Sequence, residues 1–398
     1  MTSKWQSVPL STVAVIRPAK KEVQARLAPD DAVTFMPMED LPVKGGAVSG
    51  VKSKPLRDVY SSYTYFADND VLLAKITPCF ENGKIGVATN LQNGVGFGSS
   101  EFMVIRCGSQ VDPNFLYYFL SQDSIVDAGS LVMTGSVGHR RVPQVFIENL
   151  AIPLPPLDEQ KRIVAKLDEA MVALSDLEEG CKSEIEAVET VLSRVMNSTL
   201  SNEKLTTRKV SLAEVSSIES SMVDPETEMH RNQMHIGAGN ILADSKGLVG
   251  VMTAAEEGLR SSKFEFTTKD VLYSKIRPYL RKVWLPDFDG LCSADMYPLR
   301  PSENLLSREF LFWLLLTDDF TDYAIAGSAR TGMPKVNRDH LFAYEFLLPD
   351  LARQMEIVSR INDIANDSES YTRNRMTKLG HISDVKTGIL AAAFAGEL

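Results

Sequence analysis

The sequence predicts an α+β protein: two homologous mixed α/β domains separated by two long antiparallel coiled-coil helices, with internal pseudo-two-fold symmetry. Three observations predict it. The second half of the chain restates the first about 200 residues on, and such repeats decide an architecture. Each half opens with short apolar runs broken by Gly, Pro, Asn and Asp, which read as strands and turns with a few helices. Each half closes on a long stretch whose apolar residues recur at alternating steps of three and four.

The repeat is ordered throughout. Asp70-Val71-Leu72-Leu73-Ala74-Lys75-Ile76-Thr77-Pro78 returns as Asp270-Val271-Leu272-Tyr273-Ser274-Lys275-Ile276-Arg277-Pro278. The stretch from Phe35 to Leu41 matches that from His235 to Ile241. Ser99-Ser100-Glu101 matches Ser293-Ala294-Asp295, and Phe115-Leu116-Tyr117-Tyr118 matches Phe310-Leu311-Phe312-Trp313. Gln160 and Ile163-Val164 match Gln354 and Ile357-Val358, and even the end motifs at 201–204 and 395–398 correspond.

In chain order this gives a first globular domain over 1–155, a central long helix over 156–205, a second globular domain over 206–348 and a C-terminal long helix over 349–398. Val13-Ala14-Val15-Ile16, Val71-Leu72-Leu73 and Met103-Val104-Ile105 are the expected strands. Pro153-Leu154-Pro155-Pro156, and Pro349 in the second copy, stop one element and admit a helix start. The first seam runs through Val164, Leu167, Met171, Leu174, Glu178, Cys181, Ile185, Val188, Leu192 and Val195, with Glu178 as the polar exception. As one helix, residues 157–200 extend ~66 Å. The second seam reads Val358, Ile361, Ala365, Leu379, Ile382 and Ile389, but its middle (Ser368, Thr372, Arg375) is polar and predicts looser packing or a kink.

Composition narrows the function. Charged residues at 24% and hydrophobic residues at 44% are ordinary for a globular protein. No apolar run is long enough to span a bilayer and the N-terminus has no apolar signal core, so the expectation is no membrane association. Four separated cysteines form no C-x-x-C pair and five scattered histidines form no ligand cluster; this fits a reducing cytoplasm and no metal site. The net charge of −10 discourages nucleic-acid binding at first sight. Residues 157–204, however, hold 11 acids against 6 bases, so half of the deficit sits in the helix, while residues 1–156 balance.

Catalytic signatures are missing. No phosphate loop occurs, because Gly327 to Gly332 has the first spacing but continues Met333-Pro334. The Gly94-x-Gly96-x-Gly98 cluster lies in one repeat only and reads as a turn. No Asn-Pro-Pro-aromatic motif of adenine methylation is found. Glu159-Gln160-Lys161 fits a nuclease-like E-x-K, but the second copy keeps only the glutamine, which suits a helix-start role. What remains is a binding protein whose two heads suit a bipartite DNA target.

Ile152-Pro153-Leu154-Pro155-Pro156-Leu157-Asp158-Glu159-Gln160-Lys161-Arg162-Ile163-Val164 closely resembles the specificity subunit of type I restriction-modification systems, as does the C-terminal stretch from Ile389 to Leu398. The likeness covers essentially the whole chain. The second joint departs from the pattern, keeping one proline, Leu351 and Gln354. The resemblance implies a non-catalytic subunit with two target-recognition domains that read a bipartite site on double-stranded DNA. It implies as partners two methyltransferase subunits and two endonuclease/translocase subunits, which carry S-adenosylmethionine, ATP and magnesium; this chain would bind no cofactor. Adenine methylation requires the partner to flip the base from the stack.

Candidate DNA contacts are Lys75 and Lys275, which share a repeat position before a proline, with Arg277, Arg281 and Lys282 adding charge. Arg140 and Arg141 in the loop 135–141, and Arg330 and Lys335 in the loop from 327, read as flexible basic segments that follow a phosphate backbone. The sequence does not divide base from phosphate contacts. The alternative is a structural adaptor acting through its coiled coil without DNA, which the acidic total favours.

Overall fold

The structure, a computed structural model, describes residues 5–44, 47–49, 52–136, 138–200, 208–245, 247–328 and 334–398. Arg330, Val137 and the end motif at 201–204 lie outside the described residues. Contacts divide the chain into two compact units: Met1–Cys181 with Thr377–Leu398, and Lys182–Met376. These boundaries fall inside the long helices and not where the sequence signals change, because each helix gives part of its length to each unit.

In the first unit Ser7–Pro9 pairs antiparallel with Ala151–Pro153 and ties the two ends of the globular part together. A five-stranded sheet has the order Ala14–Ile16, Phe102–Cys107, Asp70–Ala74, Ile85–Thr89, Ala47–Ser49. A four-stranded sheet is built around Ala32–Met36, which runs parallel to Val95–Gly98, itself antiparallel to Thr64–Ala67. The apolar run at 70–74 is a central strand buried along its whole length, which is why it reads as continuous rather than alternating.

The second unit has the same plan. Arg208–Ser211 pairs antiparallel with Glu345–Leu348. Ser216–Ser217, Met296–Pro301, Val271–Ser274 and Val283–Trp284 follow the order of the first four strands of the first unit's larger sheet. Met234–Ile236 runs parallel to Gly290–Cys292, which is antiparallel to Lys263–Phe266. The shared topology gives the sequence repeat a structural basis.

Buried pairs that recur in both units hold these sheets. Asp70 is 1% exposed and receives Arg106 through Nε at 2.7 Å on Oδ1 and Nη2 at 2.8 Å on Oδ2, while the Ala67 amide also donates to Oδ2 at 2.7 Å. Asp270 receives Arg300 at 2.6 and 2.9 Å and the Thr267 amide at 2.7 Å. A buried carboxylate needs such full pairing.

The glycine cluster at 94–98 is not the turn that its composition suggests. Only Gly94 turns, at φ 68; Gly96 and Gly98 lie inside a buried strand. A Cβ on Gly96 would meet the Phe66 ring at 2.1 Å, so these glycines admit aromatic rings against the backbone.

The long helices are Leu157–Leu200 and Leu351–Ala395. In the first unit their segments run antiparallel: Arg162 donates to the Leu398 carbonyl at 2.6 Å and Lys386 reaches Glu178 at 2.6 Å. Val164 and Leu167 are buried with Ala393 and Phe394 in the unit's main core, where the Phe394 ring lies 4.9 Å from Phe115. Met171, Leu174 and Leu379 are half-buried and Ile382 is buried. In the second unit Val358 and Ile361 are buried beside Met196 and Leu200, and Ile185, Val188 and Leu192 are half-buried. The polar middle of the second helix does not break it. Arg375 pairs with Glu184 at 2.5 Å and lies 4.5 Å from the Tyr371 ring centre, so the layer is joined by charge and ring instead of apolar packing.

Candidate nucleic-acid interface

Lys75 leaves the end of the buried strand Asp70–Ala74, and its backbone is fixed on both sides. Its amide donates to the Glu101 carbonyl at 3.0 Å and its carbonyl accepts from the Val142 amide at 2.9 Å. The ammonium donates to the Ser100 carbonyl at 2.8 Å and stands 3.9 Å from the Glu101 carboxylate. Arg141 grips the same carboxylate with Nε at 2.9 Å and Nη2 at 2.7 Å. This bidentate hydrogen bonding holds the Glu101 carboxyl below its ordinary 4.5, while burial, with the charges of Arg17 and Arg141, pushes the Lys75 ammonium down. Three cations thus surround one carboxylate.

The second unit repeats the brace with different residues. The Lys275 amide donates to the Asp295 carbonyl at 3.0 Å and the Val336 amide to the Lys275 carbonyl at 2.8 Å. The Lys275 ammonium donates to the Ala294 carbonyl, and Lys335 pairs with Asp295 at 3.3 Å. Burial and the neighbouring Lys335 charge push the Lys275 ammonium down. Arg277 is exposed and its amide donates to the Pro334 carbonyl at 2.9 Å.

The candidates therefore divide. Lys75 with Arg141, and Lys275 with Lys335, come together around an acid; Arg140 stands apart, 3.5 Å from Glu81. Lys75 and Lys275 are mostly buried, at 14% and 13% side-chain exposure, and act as struts behind Arg141 and Lys335. The ends of the basic loops are less free than their composition suggests. Arg141 forms bridges with Thr134 and Ile76, and Lys335 forms one with Ile276, so each loop is pinned where its charge is presented.

Sequence reasoning missed Arg17, which adopts φ 60 directly before a proline, and treated Glu101 and Asp295 as repeat markers instead of charge partners. Gln160 gains a definite role. Its Oε1 accepts from the Asp112 amide and its Nε2 donates to the carbonyls of Gln110 and Pro155, each at 2.8 Å. Gln354 does the same with Ser307, Leu305 and Pro349, also at 2.8 Å. Glu159 beside it pairs with Arg162, an ordinary first-turn contact.

Among the described residues no group of His, Cys, Asp and Glu could hold a metal ion, and no helix is long and apolar enough to cross a membrane. Cations crowded beyond what their acids neutralise favour an extended anion, and the same site occurs once per unit.

Comparison with known proteins agrees. The family model for the type I restriction modification DNA specificity domain matches residues 3–187 and 211–378. The EcoDI specificity subunit of Escherichia coli is 38% identical over 167 residues, 42% of this chain and 37% of that protein. The EcoAI specificity subunit of the same organism is 35% identical over 199 residues, 49% of this chain and 33% of that protein. The matches thus span about a third of the length of these relatives. Two solved structures share the fold, each at 19% identity. A chain from a study of complex assembly and conformational transition of the type I R-M system has a TM-score of 0.80, with 99% of this chain and 98% of that one covered. The HsdS subunit from Thermoanaerobacter tengcongensis has 0.57, with 99% and 97% covered. A duplicated α/β unit, a duplicated charge brace and a family match over both copies make this chain a member of the type I restriction-modification DNA specificity family.

Proposed function

We propose that this chain is the sequence-specific DNA-recognition subunit of a type I restriction-modification complex. Each globular domain reads one half of a bipartite target, and the long helices seat the partner subunits. The observation that carries the reading is the cation brace found at equivalent places in both units, Lys75–Glu101–Arg141 and Lys275–Asp295–Lys335. Its pinned loops can fix a register on phosphates while neighbouring groups reach base edges.

The chain itself performs no bond-making step. Methyl transfer from S-adenosylmethionine belongs to two methyltransferase subunits, and ATP- and magnesium-dependent cleavage to two endonuclease/translocase subunits, all in the cytoplasm where the DNA is. The test is a salt series of gel shifts on the full chain with its methyltransferase, joined to mapping of methylated adenines in cells expressing both. Expected are binding that weakens steeply with salt, with a log–log slope of about 0.9 per phosphate contacted, and one bipartite methylated sequence. A complex that assembles but binds no DNA would establish the adaptor reading instead.

A further inference from the structure

The loops that follow Lys75 and Lys275 occupy the same place in the fold but present different chemistry. In the first unit, between Asp70–Ala74 and Ile85–Thr89, the loop turns inward: Phe80 is 1% exposed, and Glu81 accepts from the Thr77 hydroxyl at 2.7 Å and faces Arg140. An acid at this tip repels phosphate.

The loop between Val271–Ser274 and Val283–Trp284 turns outward. Tyr279 is 52% exposed, Arg277 is exposed, and among the described residues Arg277 has no carboxylate partner. The flanks are held firmly. Arg281 pairs with Asp318 at 2.5 Å, its carbonyl accepts from the Ser245 hydroxyl at 3.0 Å, and Lys282 donates to the Ala238 carbonyl at 2.6 Å. Arg277 (φ 51, ψ 60) and Arg281 (φ 46, ψ 48) are both left-handed, a conformation uncommon outside glycine that persists only where surrounding contacts impose it. Burial, together with the Arg277 charge, pushes the Lys282 ammonium down, so cations crowd the loop. A guanidinium and a phenol two residues apart on a braced tip form a reading pair. The guanidinium can hold the O6/N7 edge of guanine, and the ring can pack on a thymine methyl in the same groove.

We propose that the Arg277–Tyr279 tip enters a DNA groove and reads base identity in the half-site of the second domain only, the matching loop of the first domain having no such role. This rests on the DNA-recognition reading above. The experiment uses the full chain with its methyltransferase and compares wild type with Arg277→Ala, Arg277→Lys and Tyr279→Ala. Methylated adenines are mapped in cells, and binding is measured against duplexes varied at each position of each half-site. Expected is relaxed sequence preference at one or two adjacent positions of one half-site, with discrimination there falling roughly tenfold for Arg277→Ala. Arg277→Lys should restore salt-dependent affinity but not discrimination, since an ammonium lacks the bidentate fork. Unchanged preference in all three variants overturns the proposal. So does a uniform loss over every sequence with a shallower salt slope, which marks phosphate contact alone. A variant that binds no duplex is decided by Arg277→Lys, whose discrimination must still fall. Absence of any bipartite methylation by the wild-type complex would overturn the recognition reading instead.

Discussion

Replacing Gln160 with methionine keeps the length of the side chain and removes all three of its hydrogen bonds. Gln160 is fully buried, and its amide satisfies the Asp112 N–H and the carbonyls of Gln110 and Pro155. Each buried backbone group left unpaired costs ~1–3 kcal/mol, but two of the three contacts are only partly buried and admit water. The expected loss is therefore ~2–4 kcal/mol, more than an average point substitution. Gln354→Met removes the matching set and should cost a similar amount. Denaturant unfolding gives the magnitude, and hydrogen exchange gives the place. The Asp112 amide should lose protection in Gln160→Met but not in Gln354→Met, and the Ser307 amide the reverse. A loss below ~1 kcal/mol, or unchanged protection at Asp112, would refute the clamp.

Glu101→Gln removes the carboxylate that Arg17, Lys75 and Arg141 share; melting temperature should fall while low-salt affinity for arbitrary DNA rises and becomes more salt-dependent, and unaltered salt dependence would count against the brace. Glu101 and Glu22 both sit below their ordinary 4.5 when folded, Glu22 chiefly through hydrogen bonds from Tyr65 and Arg106. Their contribution is thus present above about pH 4.5 and is lost as pH falls through the lower folded values, so Glu101→Gln should flatten the acid limb of a melting-temperature profile, and parallel limbs would contradict it. Gly96→Ala drives a methyl into the Phe66 ring and should destabilise the first unit by ~1–3 kcal/mol in a thermal melt; a neutral result would mean the ring moves aside freely.

Local signals made much of this legible. The heptad steps and the proline stop mark the first long helix at Leu157–Leu200, and the repeated Asp-Val-Leu run marks the central strand of each unit. What stayed hidden depends on partners distant in sequence. Arg106 lies 36 residues from Asp70 and Arg141 lies 40 from Glu101, and no periodicity announces such pairs. The cations were visible as types, but their division into buried struts and exposed contacts depends on which carbonyl each ammonium meets. Polar residues in the second helix read as weakness because Glu184, which receives Arg375, lies in another element. Gly96 and Gly98 misled because glycine serves a turn and a close ring approach equally well.

The first compact unit draws on both extremes of the chain, closing its core with Ala393 and Phe394, whereas the second is one uninterrupted stretch, Lys182–Met376. On the ribosome the order of completion is therefore inverted. The later-encoded unit has its whole stretch once Met376 has emerged, while the earlier-encoded one must keep its apolar faces unfilled until Ala393 and Phe394 have followed. Loss of Ala393 and Phe394, far from the first domain in sequence, opens that domain's core and leaves the stretch of its sibling whole.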